Sequence, residues 1–274
     1  MSQSAIPSSF ESTAPARSWS ERVPAALLYR LAAGLAILLT WEIVVRALAP
    51  AYVAKPSSII AVFPKVIVDS TFLAATAVTL TAVAQGLAIS IVLGTLIGLL
   101  IGRSLIAERA LRHYVNGFYA VPMVVVLPLL SLWFGYSGAT RLATIVFAAL
   151  FSIIVNVSDG AKAVPREFIE VARSFRSDRW RTTLEIVLPA ATPYFLAGLR
   201  LAAGRALIGA VVAEFFTAIG GLGFFILYNS RTFHHNEAFV GVLLLAAFGV
   251  GFELLVNRST RRFLPWYRRD ERSD

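Results

Sequence analysis

Residues 74–101 read AATAVTLTAVAQGLAISIVLGTLIGLLI and contain no charged side chain. As an α-helix, this stretch is long enough to cross the hydrocarbon core of a bilayer, which takes about 20 apolar residues. The whole chain of 274 residues has the same character, with 57% hydrophobic residues, 15% charged residues and a mean hydropathy of +0.72. Because a soluble core of this length needs less apolar surface, the sequence predicts an integral membrane protein.

Similar apolar stretches recur on both sides of this one, and together they predict an all-α protein with about six transmembrane helices. The six stretches are 27–48, 74–101, 115–134, 142–157, 195–219 and 239–256.

The polar segments divide the chain into four regions. Residues 1–22 are rich in Ser, Pro and Ala and are expected to form a disordered cytoplasmic tail without a cleaved signal peptide. Residues 23–73 are expected to hold the first transmembrane helix and an external loop, and residues 74–257 the main helical core. Residues 258–274 form a basic C-terminal tail that is expected in the cytoplasm.

The distribution of Lys and Arg predicts the orientation, since basic residues resist translocation. With a cytoplasmic N-terminus, 17 of the 25 basic residues fall in cytoplasmic segments, four fall outside and four fall within spans. Both termini are therefore expected in the cytoplasm. The same asymmetry accounts for the net charge of +9, so a nucleic-acid partner is not expected.

The cytoplasmic loop between the fourth and fifth spans carries seven charged residues in positions 170–189, EVARSFRSDRWRTTLEIVLP. Pro165 can open a short helix whose apolar face holds Phe168, Ala172 and Phe175. A second helix is expected after it, and Pro189 is expected to interrupt that helix before the fifth span. Two interpretations remain open: a loop that only fixes the topology, and an amphipathic segment that docks into the groove of a soluble partner.

Residues 169–200, IEVARSFRSDRWRTTLEIVLPAATPYFLAGLR, resemble the cytoplasmic signature of ABC importer permeases. That signature runs E-A-A, three residues, G, nine residues, I, one residue, L-P. Glu170, Val171 and Ala172 take its first places, Ile186 or Val187 lies near the aliphatic position, and Leu188-Pro189 ends it. VPMVVVLPLLSLWFGYSGATRLATIVF (121–147), AGLRLAAGRALIGAVVAE (197–214) and GGLGFFI (220–226) resemble the nitrate, sulfonate and taurine branch.

The resemblance implies a type I importer permease fold over residues 74–257, with a pair of coupling helices at 165–189. It implies a homodimer in a bacterial inner membrane, two separate ATPase subunits, an external binding protein and a small solute such as nitrate, a sulfonate or taurine. The residues that it assigns to ATPase coupling are Phe168, Glu170, Val171, Ala172, Arg173, Ser174, Phe175, Arg176 and Asp178.

The sequence departs from the signature at its glycine, where Arg176 stands. A left-handed residue at this position would cost a side-chain-bearing residue about 1 kcal/mol, so either Arg176 carries that strain or the turn differs. Asp178 replaces the usual serine cap and is expected to accept the same backbone N–H.

No phosphate-binding loop G-x-x-x-x-G-K-[ST] occurs, so ATP hydrolysis is expected on another polypeptide, and no enzymatic activity or cofactor is expected of this chain. The three histidines do not have the spacing of a metal site, and the chain has no cysteine. The alternative function is an ion-coupled secondary transporter. The residues do not identify the solute.

Small residues recur every four positions in the second span, at Gly86, Ser90, Gly94, Gly98 and Gly102. This spacing predicts a groove where another helix packs closely, and it also allows a sliding surface. Pro122 and Pro128 are expected to kink the third span and to face the translocation pathway.

Charges inside the spans have different expected roles. Glu42 and Arg46, four residues apart, are expected to pair with each other. Glu214 has no such neighbour, so it is expected either to bond another helix or to serve the translocation pathway. Arg200 and Arg205 are expected to extend toward the cytoplasmic surface.

Overall fold

The computed structural model describes residues 22–50 and 53–263, and every regular element in these ranges is helical. The expected N-terminal tail lies outside the described residues except for Arg22, and so does the C-terminal tail beyond residue 263. The helices are α1 (Arg22–Leu48), α2 (Pro56–Val66), α3 (Ser70–Arg103), α4 (Leu105–Ala120), α5 (Met123–Phe134), α6 (Gly138–Lys162), α7 (Arg166–Ser174), α8 (Arg179–Thr182), α9 (Leu188–Thr217), α10 (Leu222–Arg231) and α11 (His235–Phe263). A π-helical turn, Thr183–Val187, joins α8 to α9.

The chain divides into two compact units, and the first one ends at Ser57. Within it, α1 provides an apolar span at Leu27–Leu48. The Arg46 Nε lies 2.5 Å from a carboxylate oxygen of Glu42, so the expected intrahelical ion pair is confirmed. The Ser57 backbone N–H and hydroxyl both donate to the Glu42 carboxylate, at 3.0 and 2.7 Å.

The second unit is built around α6, which packs between α3 and α9. Its buried cluster combines large side chains of α6 with small ones of α9, and this pairing lets the helices approach closely. The buried members are Ala82, Leu87, Ile145, Ala149, Ile153, Val157, Ala202, Ala203, Ala206 and Ala210.

The four-residue repeat of α3 faces α6, which confirms the expected close packing. A Cβ atom on Gly94 would lie 2.8 Å from the Cβ of Ile153, and one on Gly98 would lie 2.8 Å from the Cβ of Val157. Real Cβ atoms do not approach this closely, so the two helices touch because these positions lack side chains.

The third expected span, 115–134, is not one helix. It consists of α4 and α5, which meet at Val121–Pro122 with a bend of 102°. Pro122 has no N–H to continue the helix and holds Val121 in an extended conformation, with φ −68° and ψ 126°. Five helices are thus long and apolar enough to span, or six if the bent pair counts as one, within the part of the chain that is described.

The other expected spans coincide with α3, α6, α9 and α11. α6 is longer than the expected 142–157. The described region between α9 and α11 holds α10, a short helix that the hydropathy pattern did not predict. Pro128 lies inside α5 without ending it.

Candidate functional site

Helix α7 has one apolar face turned inward and another turned outward. Ala172 is buried at 5% exposure, and Ile169 packs against the buried cluster of Val164 and Val187. On the outer side, Phe168 and Phe175 are 58% and 83% exposed, and Val171 lies between them at 54%. Residues spaced at i, i+3 and i+7 share one face of a helix. We call Phe168, Val171 and Phe175 the docking face.

The expectation that Ala172 shares this face is wrong. Ala172 anchors α7 to its own chain, because the loop that follows folds back over it: the Ser177 N–H donates to the Ala172 carbonyl at 2.9 Å. Val171 takes its place on the outer face. The remaining residues of the predicted coupling set are exposed: Glu170, Arg173, Ser174, Arg176 and Asp178.

Arg176 ends α7 in the left-handed conformation, with φ 53°. The Arg176 N–H donates to Arg173 O at 2.8 Å, and together with the Ser177 to Ala172 bond this forms a Schellman motif. Arg176 therefore occupies the glycine position of the signature in the glycine conformation and carries the associated strain.

Asp178 lies at the N-cap of α8, but its side chain makes no capping hydrogen bond, so the expectation of a carboxylate cap is wrong. Its backbone carbonyl instead accepts from the N–H and the hydroxyl of Thr182, both at 2.9 Å. Pro189 does not interrupt the helix either. The π-helical turn precedes it, with the Leu188 N–H bonded to Thr183 O, and such a wider turn accommodates a proline ring.

The result is a single helical element from Arg179 to Thr217. At 1.5 Å per residue it is roughly 58 Å long. It begins directly after the Arg176 turn and ends three residues after Glu214. The segment that carries the docking face is thereby attached to the far end of the spanning core.

Glu214 is fully buried and is held by three other elements. The Thr79 hydroxyl of α3 donates to it at 2.8 Å, and the Gly223 N–H at the start of α10 donates at 2.8 Å. Arg141 of α6 lies 3.2 Å away and also donates to Gly220 O. A Cβ atom on Gly221 would overlap the Glu214 carboxylate, which explains the glycine there.

These contacts favour the inter-helix interpretation of Glu214 over a role in lining the pathway. Sequence reasoning missed its partners because Thr79 and Arg141 lie on other helices, far away along the chain. Thr79 also accepts the Leu222 N–H at 2.7 Å, so one hydroxyl ties α3 both to α9 and to α10.

The bend between α4 and α5 opens a cavity of about 290 Å³. Pro122 lines it, whereas Pro128 does not. Arg205 lines it as well, with its guanidinium carbon 4.1 Å from the centroid of the Tyr119 ring. The Arg200 guanidinium, in turn, donates to the Asn257 side chain of α11. That Arg200 and Arg205 extend toward the cytoplasmic surface stays a prediction.

A charged cluster joins α4 to the end of α6. Lys162 and Arg112 both contact the Glu108 carboxylate, at 2.5 and 2.8 Å, and Arg112 also lies 3.7 Å from Asp159. In the ranges that the structure covers, no three His, Asp or Glu side chains gather as metal ligands would.

Residues 90–269 match the protein family described as the binding-protein-dependent transport system inner membrane component. The formylaminopyrimidine transport permease protein ThiX of Halalkalibacterium halodurans is 31% identical over 233 residues, which is 85% of this chain and 93% of the relative. The putative aliphatic sulfonates transport permease protein SsuC of Bacillus subtilis is 28% identical and covers 84% of both chains. Permeases named for nitrate and taurine also match.

Among solved structures, a chain of a bacterial ABC transporter that imports the acidic polysaccharide alginate superposes with a TM-score of 0.63. The match covers 90% of this chain and 99% of the other at 14% identity, so it bears on the fold alone.

Proposed function

Because the chain belongs to the family of binding-protein-dependent transport system inner membrane components, and is thus the permease subunit of an ABC importer for a small solute, we propose how its parts drive transport. Two copies form the path through a bacterial inner membrane, with both termini in the cytoplasm. Two ATPase subunits bind on the cytoplasmic side, and a binding protein delivers the solute outside.

The observation that carries this proposal is the continuous element Arg179–Thr217. It starts beside the docking face and passes Arg205 and Glu214, so a force applied to α7 reaches both. Since α-helices resist bending over such lengths better than loops do, a displacement of α7 would move α9 against α3 and α6.

In this proposal, Phe168, Val171 and Phe175 enter an apolar groove of the ATPase, because three exposed apolar side chains on a cytoplasmic helix otherwise face water. Ala172 holds the helix in place from behind. The polar residues around the face, Glu170, Arg173, Ser174, Arg176 and Asp178, form the rim of the contact.

The path for the solute runs along the bend at Pro122, with α5 beside it and Pro128 in its second turn. α5 exposes Leu129, Leu132 and Trp133, a surface suited to the second copy. The Glu214 carboxylate bonds the outer end of α9 to the start of α10, so these two ends move together.

The test is reconstitution in liposomes of this chain with an ABC ATPase subunit and a binding protein from the same organism. We expect solute uptake that needs ATP and the binding protein. Uptake driven by an ion gradient, in liposomes that hold this chain alone, would contradict the proposal and support the secondary-transporter alternative.

A further inference from the structure

Arg205 is a half-buried cation inside a spanning helix, and it has no anionic partner. It lies twelve residues before Thr217, roughly 18 Å from that end of α9. Among the described residues, no carboxylate is within ion-pair distance of Arg205 and no side chain or carbonyl accepts its N–H groups; its contact is the Tyr119 ring. Arg200, five residues earlier on the same helix, has the Asn257 oxygen as its acceptor.

The Tyr119 ring does not compensate for the burial of this charge. Placing an arginine in the middle of a spanning helix raises the free energy of insertion by about 2.5–3.5 kcal/mol or more, whereas a cation–π contact stabilises the cation by about 0.5–2 kcal/mol. A guanidinium in such a place therefore needs water or an anion beside it. Unpaired charges of this kind mark solute and ion pathways in membrane proteins.

The cavity beside Arg205 offers a second source of positive potential. α5 starts in its wall at Met123, after Pro122, and no side chain caps this helix. The first N–H groups of an uncapped helix attract anions, and the helix dipole adds to the effect. Phe118 and Phe151 also line the cavity, and their rings are stacked with centroids 5.7 Å apart. The cavity thus combines a forked cation, a helix N-terminus and an apolar wall.

We propose that this cavity is an oxyanion site on the transport path, where Arg205 binds the negatively charged group of the solute. Arginine presents planar, forked donors that match the oxygens of carboxylate, nitrate or sulfonate groups. At about 290 Å³, the cavity holds a small solute and no extended chain. Tyr119 holds the guanidinium when the solute is absent.

This inference rests on the proposed function and narrows its solute class. The names of the relatives do not decide the class, since SsuC is named for sulfonates and ThiX for a formylaminopyrimidine. The feature of this chain that favours an anionic solute is the Arg205 side chain in the cavity.

The chain contains no cysteine, so a single introduced thiol reports on the cavity. Ala120 lines the cavity beside Tyr119, and Ala120→Cys in membrane vesicles is labelled with an anionic reagent, sulfonatoethyl methanethiosulfonate, and with its cationic trimethylammonium counterpart. The measured quantity is the ratio of the two rates. Ile106→Cys is the matched control, because Ile106 also lies on α4, is 82% exposed and does not line the cavity.

We expect Arg205→Gln to lower the anionic-to-cationic ratio at Ala120→Cys about tenfold and to leave the ratio at Ile106→Cys unchanged. Arg205→Lys keeps the charge and should keep the ratio. Nitrate and methanesulfonate should protect Ala120→Cys from labelling in the presence of Arg205 and not after Arg205→Gln. Arg200→Gln, which removes a charge from the same helix outside the cavity, should change neither the ratio nor the protection.

An unchanged ratio after Arg205→Gln would overturn the site. So would protection by 4-amino-2-methylpyrimidine together with no protection by the two oxyanions. Labelling needs neither the ATPase nor the binding protein, so the two proposals fail separately. Charge-selective labelling without ATP-driven uptake would refute the proposed function, while ATP-driven uptake with unselective labelling would refute the oxyanion site.

Discussion

The Thr79 hydroxyl lies 2.8 Å from a carboxylate oxygen of Glu214 and accepts the Leu222 N–H at 2.7 Å. One side chain of α3 thereby holds the end of α9 and the start of α10 together. A valine at this position has nearly the same shape but can neither donate to Glu214 nor accept from Leu222.

Thr79→Val should therefore destabilise the protein by about 1–3 kcal/mol, since it leaves a buried N–H without an acceptor and a buried carboxylate short of a donor. Thr81→Val is the matched control, because the exposed Thr81 hydroxyl bonds only Ala77 O in its own helix. Unfolding of the purified protein, followed by circular dichroism in mixed micelles with increasing SDS, measures the difference. Equal effects of the two substitutions would mean that the Thr79 contacts do not stabilise this end.

The second prediction concerns the docking face. Val171→Asp should reduce co-purification of the ATPase at least about tenfold, because a carboxylate would be buried without a partner in the apolar groove. Arg166→Asp is the control, since residue 166 is exposed on the opposite side of α7. ATPase retained by Val171→Asp at the level of the control would show that the face does not dock.

Ala172→Asp should act differently from Val171→Asp. Ala172 is buried within the chain, so a carboxylate there should unseat α7 itself and expose residues 166–177 to limited proteolysis even without the ATPase. Val171→Asp should leave the proteolysis pattern of the free protein unchanged. Resistance of the Ala172→Asp segment to proteolysis would contradict the anchoring role.

Arg176→Gly should stabilise the turn after α7 by about 1 kcal/mol, because glycine adopts a φ of 53° without the strain that a side chain brings. Ser174→Gly, the same change inside the helix, should destabilise the segment by about 0.5–1 kcal/mol. Hydrogen exchange of the Ser177 amide, which bonds Ala172 O, measures both effects. Faster exchange in Arg176→Gly would indicate that the arginine side chain makes a stabilising contact of its own.

The groove of α3 gives a further test. Gly98→Ala should destabilise the protein by about 1–3 kcal/mol, because the new methyl group would meet Val157 and the Ile154 carbonyl within 3 Å. Gly117→Ala should be neutral or stabilising, since no atom lies within 4 Å of that site and alanine favours the helix. SDS unfolding of both variants against the wild type measures the difference.

The sequence predicts the features that depend on local chemistry. The apolar spans follow from length and hydropathy, and close packing of α3 against another helix follows from the small residues at every fourth position. The signature leaves two possibilities for Arg176, a strained left-handed residue or a different turn, and the structure has the left-handed residue. Each of these needs only neighbouring residues to be recognised.

The remaining features depend on contacts between elements that are far apart along the chain, and the order of the residues does not reveal these contacts. Pro122 and Pro128 both lie in the same apolar stretch of the sequence. In the structure, however, the chain bends at Pro122, whereas α5 continues through Pro128. Ala172 and Val171 are both apolar residues of α7, but Ala172 is buried and Val171 is exposed, because α7 is seated by the packing of Ile169 against Val164 and Val187. Arg205 could be recognised as a cavity residue only after the bend had placed Tyr119 against it.

The π-helical turn Thr183–Val187 determines how the start of the element Arg179–Thr217 is rotated about the helix axis relative to its end. A π-helical turn holds one residue more than the α-helical turn that it replaces, and one residue corresponds to about 100° of rotation about the helix axis. Removal of one exposed residue of this turn, such as Glu185, would leave a regular, continuous helix and keep the side chains of α9 that pack against α3 and α6. It would nevertheless rotate α7 by roughly a quarter turn relative to Arg205 and Glu214, and under the proposed function the docking face would then point away from the ATPase. In this permease the number of residues between Asp178 and Pro189 therefore sets the direction in which α7 points relative to the spanning part of α9.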